Sequence, residues 1–263
     1  IRTDLALLGL KWKKRVIQTV RNNPEIFPEN RVMKKYRNVL VKKSQLTIVQ
    51  NEQQKKYFPE NEWKKIKVLP NPVSSSLLQI ERHESTKWFK IVSVGRLESQ
   101  KNFDLLIDAV ACVIQKYENV ILDIYGEGSM KEKLQEHINC LSLQQSVTLK
   151  GRSSNYDDMY GTASLFVLSS DFEGMPNTLL EAMAVGIPCI STDCPTGPSD
   201  IIESEKNGIL VPTGNKEKLV QAIENLIHKE ELRNDLSIMS KRTICSRYAP
   251  DKITEKFIDI CEK

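Results

Sequence analysis

A chain of 263 residues, 40% hydrophobic and 27% charged, can bury one large core or two modest ones. No apolar run approaches the length of a membrane-spanning helix, and residues 1–10 are too broken for the apolar stretch of a signal peptide, so a cytoplasmic protein is expected. The net charge of +4 is unevenly spread, with 17 Lys/Arg against 6 Asp/Glu in residues 1–67; with no nucleic-acid-binding motif beside it, this excess predicts peripheral contact with an anionic membrane surface and no nucleic acid.

In chain order, residues 14–21 read as a strand, 31–43 as a basic helix, 45–50 as a strand and 52–58 as a short helix. Two strands are too few for an independent doubly wound domain, so residues 1–70 are expected to be the C-terminal remnant of one. Pro70-Asn71-Pro72 forms a stiff turn, since each proline fixes its own backbone and pushes its predecessor away from helix. Residues 71–89 are expected as a polar linker. From Lys90 onward strands at 90–95, 120–126, 147–151, 165–168, 188–192 and 208–212 alternate with helices at 102–116, 129–140, 156–161, 178–184 and 199–203. Three helices close the chain, at 215–228, 230–246 and 250–261. Strand and helix in alternation at short spacing predict an α/β fold: a Rossmann-like parallel sheet with helices on both faces over 90–263, plus the partial second domain. The last helix is free to pack back on the first part.

Six cysteines without a C-x-x-C pair suggest neither a disulfide framework nor a zinc site and are expected as reduced core residues. His83, His137 and His228 match no ligand or triad spacing.

Chemistry concentrates at the carboxyl ends of the predicted strands. After the apolar run 165–168, Pro176 fixes the entry to a helix, Asn177 is placed to cap it, and Gly186 and Pro188 end it. A helix N-terminus at the end of a parallel strand is an anion site, and phosphate is the expected ligand. Glu173 in the loop and Glu181 one turn into the helix would repel phosphate, so they make sense as acceptors for hydroxyl groups on either side. Arg96 and Lys101, after the strand at 90–95, supply a planar fork and a point charge for a diphosphate. The loop Tyr125-Gly126-Glu127-Gly128 begins a dinucleotide fingerprint but lacks its third glycine, and a tight turn explains it equally well.

The run E-G-M-P-N-T-L-L-E (173–181) resembles the E-x7-E signature of the retaining glycosyltransferases of family 4, which have the GT-B fold of two facing Rossmann-like domains. G-R-L-x-x-x-K-N (95–102) resembles that family's diphosphate motif, and TIVQNEQQKKYF with IKVLPNPV resembles the end of its acceptor domain and the linker. D-C-P-x-G-P (193–198) is similar to members that build surface polysaccharides. The resemblance implies an N-terminally incomplete enzyme. Its donor would be a UDP-sugar and its acceptor a glycan or lipid-linked glycan. Glu173 would stand beside the donor sugar, and Glu181 would bind the ribose. The segment Gly174, Met175, Pro176, Asn177 and Thr178 would hold the diphosphate with Arg96 and Lys101, and Gly126 and Gly151 would lie near the nucleotide. With no D-x-D element at a strand end, fixed cations are expected in place of a metal, and no cofactor is expected beyond the donor itself. Alternatives are a non-catalytic nucleotide-sugar binding module and a UDP-sugar epimerase or phosphorylase of the same fold.

Overall fold

The structure is a computed structural model that describes residues 17–83 and 87–262. Residues 1–10 and the first three residues of the predicted strand at 14–21 lie outside that range.

The first part comprises β1 (Ile17–Val20), α1 (Arg31–Lys43), β2 (Leu46–Val49), α2 (Glu52–Lys56) and β3 (Ile66–Val68). The strands form a parallel sheet in the order β1-β2-β3. Val20, Val41, Val49, Phe58 and Ile66 pack as its small core. Strand β3 was not expected: three residues ahead of Leu69-Pro70 read as linker, and only pairing with β2 makes them a strand.

The second part contains β4 (Phe89–Val94), α3 (Phe103–Ile114), β5 (Val120–Tyr125), α4 (Lys131–Cys140), β6 (Val147–Gly151), α5 (Tyr156–Tyr160), β7 (Leu165–Leu168), α6 (Asn177–Val185) and β8 (Cys189–Thr192). It continues through α7 (Pro198–Ile201), β9 (Ile209–Val211), α8 (Lys216–His228), α9 (Glu230–Arg247) and α10 (Pro250–Glu262). All six strands are parallel, in the order β6-β5-β4-β7-β8-β9. The order reverses between β4 and β7, and this is where an open sheet leaves a crevice at its carboxyl edge. Pairing there is short: Ile91 with Leu165 and Val92 with Phe166. By contrast, β4 and β5 pair along six residues. The loops leaving β4 and β7 therefore diverge around an opening.

Alternation along β7 explains its unbroken apolar run. Leu165 and Val167 join the core under α3 and α8. Phe166 and Leu168 join the core under α6 on the opposite face. The predicted polar linker contributes to that second core as well, because Val73, Leu77 and Ile80 are buried against it. A short 3-10 turn, Ser75–Gln79, turns these apolar side chains inward from an otherwise polar sequence.

The expectation of core cysteines holds only for Cys189 and Cys194. Cys140, Cys245 and Cys261 are exposed, since each falls on the outer side of its helix. Among the described residues, no helix is long and apolar enough to cross a membrane.

Candidate functional site

The loops after β4 and β7 are laced together. The Ser169 hydroxyl donates to the Lys101 carbonyl at 2.8 Å, and the Gln100 amide donates to the Phe172 carbonyl at 2.7 Å. Asn102 takes a left-handed conformation to cap α3 and also donates to Asp171 at 2.8 Å. These bonds bring the Lys101 ammonium within 2.6 Å of Glu173 Oε1, with side chains only 13% and 8% exposed. Ser170 donates to the same carboxylate oxygen at 2.7 Å. Thr196, from the loop after β8, donates to the Glu173 carbonyl. Lys101 thus serves first as the partner of Glu173. An ammonium has three N–H donors, so two remain for another anion.

Arg96 behaves differently. It is exposed and its guanidinium makes no hydrogen bond or ion pair among the described residues, although its charge adds to the lowering of the Glu98 pKa. It borders a cleft of about 440 Å³ together with Gly126, Tyr125 and Arg152. The wall at Gly126 is close: a Cβ there would lie 1.8 Å from the Gly95 carbonyl oxygen, and the backbone is at φ +148°. Only glycine allows β4 and β5 to end so near each other. Gly151 ends β6, its carbonyl accepting from the Gly126 N–H at 2.8 Å.

The 126–130 loop is a tight turn and offers no phosphate cradle. The Ser129 N–H and hydroxyl both donate to the Glu98 carboxylate, at 3.1 and 2.7 Å, and these two bonds are the main cause of its lowered pKa. A carboxylate already stands at the start of α4, where a phosphate would sit.

At α6 the expected capping is corrected. Pro176 is the N-cap residue, Asn177 is the first residue of the helix, and no side chain caps it. The Asn177 side chain instead accepts from Asn71 Nδ2 at 2.6 Å, and Asn71 Oδ1 accepts from Arg21 at 3.0 Å. With the cap position empty of side-chain acceptors, the first N–H groups of α6 keep their capacity for an anion. The Thr178 hydroxyl is buried and has no hydrogen-bond partner among the described residues. The expected C-terminus is as read, with Gly186 left-handed at φ +83°.

The turn also joins the two parts of the chain. Asn51 donates to the Gly174 carbonyl at 2.8 Å, and the Asn71 N–H meets the Met175 sulfur at 3.4 Å. A Cβ on Gly174 would lie 2.7 Å from the Asn22 Cα, so this glycine lets the first part approach. Glu181, one turn into α6, accepts from the Tyr160 hydroxyl at 2.9 Å. Burial raises its pKa and the Tyr160 bond opposes that rise.

The structure therefore gathers Lys101, Glu173 and the 174–178 turn at the switch point, with Arg96 on the adjacent cleft and Glu181 held against Tyr160. Sequence reasoning missed Asn51, Asn71, Tyr160 and Ser170. Of these, Asn51 and Asn71 had a detectable local signal, a cap residue before α2 and a residue locked between two prolines.

The family profile described as Glycosyl transferases group 1 matches residues 78–243. An uncharacterized glycosyltransferase of Methanocaldococcus jannaschii is 35% identical over 83% of this chain and 62% of its own length. The poly(ribitol-phosphate) alpha-N-acetylglucosaminyltransferase of Staphylococcus aureus is 31% identical over 69% of this chain and 38% of its own length. The chain thus spans less than two thirds of either relative. A mutant of S. aureus TarM, crystallised with fondaparinux, alpha-GlcNAc-glycerol and UDP, superposes with a TM-score of 0.79 at 26% identity, covering 93% of this chain and 50% of that one. The strand order, the 95–102 and 173–181 motifs and these matches agree: the chain belongs to the group 1 glycosyl transferases and has their GT-B architecture.

Proposed function

We propose that this chain carries the donor-binding part of a retaining glycosyltransferase that moves a sugar from a UDP-sugar to a glycan or lipid-linked acceptor in surface polysaccharide biosynthesis. The observation that carries the reading is the uncapped N-terminus of α6 at the β4/β7 crevice, with the Lys101 and Glu173 pair beside it. UDP in the TarM complex and the exopolysaccharide and lipopolysaccharide names among the relatives support the substrate class. As the bond to the sugar breaks, charge grows on the departing diphosphate. Arg96, the two remaining Lys101 donors and the backbone N–H groups of Gly174, Met175, Asn177 and Thr178 would take up that charge without a metal. Glu173, fixed by Lys101 and Ser170, would orient the sugar, and Glu181 would accept from the ribose.

Crystals soaked with UDP test this. The diphosphate is expected against the 174–178 turn and the uracil end toward Gly126 and Gly151; density for UDP elsewhere would overturn the assignment.

A peripheral position on the cytoplasmic face of an anionic membrane is part of the same proposal, supported by α1. Arg31, Lys35, Lys42 and Lys43 share one exposed face with Val32 and Val39, and the helix has no acidic residue. Such a face suits anionic headgroups over a shallow apolar layer. Sedimentation with phosphatidylserine vesicles should retain the chain at low salt and release it at high salt. Equal behaviour with neutral vesicles would contradict it.

A further inference from the structure

We propose that Tyr160 is a positioning residue that holds Glu181 in the geometry needed to read the two ribose hydroxyls of the nucleotide. This rests on the UDP reading of the α6 turn and goes beyond it, because nothing in the sequence motif contains Tyr160.

Tyr160 closes α5 and is fully buried, its ring lying 6.3 Å from Tyr156 in a stacked arrangement and 6.4 Å from Phe166. A buried phenol hydroxyl without an acceptor is strongly disfavoured. Here the acceptor is Glu181 Oε2, at 2.9 Å, reached from a different element. The ring is immobilised by its packing, so the carboxylate it bonds is immobilised too.

Two consequences follow for a diol ligand. An ionised carboxylate accepts along about four directions over its two oxygens. Tyr160 occupies one direction on Oε2, and Oε1, with no hydrogen-bond partner among the described residues, can accept from both members of a vicinal diol. A glutamate swinging freely on a helix would have to lose its rotamer freedom on binding, and Tyr160 has already removed it. Burial raises the Glu181 pKa, and the Tyr160 bond, which favours the ionised form, opposes that rise.

The test compares UDP with 2′,3′-dideoxy-UDP by calorimetry on the wild-type chain, Tyr160→Phe, Glu181→Gln and Tyr160→Phe/Glu181→Gln. Phenylalanine keeps the packed ring and removes only the donor. Wild type should prefer UDP clearly. Tyr160→Phe should weaken UDP about fivefold, an effect on the scale of one hydrogen bond, and leave the dideoxy compound unchanged. The double variant should bind UDP no more weakly than Glu181→Gln alone. Equal weakening of both ligands, or of neither, would show that Tyr160 only fills the core and would overturn the proposal. A wild-type chain that binds UDP without preferring it to the dideoxy compound refutes the ribose role of Glu181 itself, and one that does not bind UDP refutes the site.

Discussion

Lys101→Ala should lower the stability of the folded chain by about 3 kcal/mol, read as a lower urea midpoint at unchanged slope. The physical cause is the carboxylate left behind. Glu173 is 6% exposed, and its Oε1 receives the Lys101 ammonium at 2.6 Å and the Ser170 hydroxyl at 2.7 Å. With the ammonium gone, one neutral donor faces a buried negative charge, and removal of one member of a buried pair is far more harmful than removal of both. Lys101→Ala combined with Glu173→Gln should therefore recover much of the loss, since a neutral amide needs no counter-charge. A single variant within about 0.5 kcal/mol of wild type would mean that water already screens the pair.

That result also bears on function. A lysine fixed by Glu173 is preorganised toward the crevice, so a ligand diphosphate meets a charge that is already oriented. Glu173 in turn is a scaffold for Lys101 as well as the proposed neighbour of the donor sugar, and Glu173→Gln would disturb both roles. The sequence pattern assigns these two residues to one site, but it carries no sign that they bond directly.

Legibility followed the range of the forces involved. The β7 to α6 stretch was readable because an apolar run buried on both faces, a proline entry and a left-handed Gly186 are all local features. The stripe along α3, with Phe103, Leu106, Ile107, Val110 and Val113 buried at helical spacing, is equally local. Strand β3 was not, because three residues gain strand character only from β2. The cap at Asn177 was misread since a distant side chain, Asn71, competes for its amide across 106 positions. Asn51 reaches Gly174 across 123 positions, and no local pattern reports such a contact. Motif resemblance located the crevice; the partners that hold each motif residue in place came only from the fold.

Arg96 offers the most direct test of the central claim, that a nucleoside diphosphate rests on the uncapped start of α6 and is met by fixed cations. Its guanidinium is exposed and free of internal bonds among the described residues, so substitution removes a ligand contact without opening the core. A charge-assisted, two-pronged contact with phosphate oxygens is worth at least about 1.4 kcal/mol, or tenfold in affinity. Calorimetry with UDP on Arg96→Ala should accordingly show at least tenfold weaker binding, while the thermal midpoint of the ligand-free variant matches wild type. Unchanged UDP affinity would contradict the account.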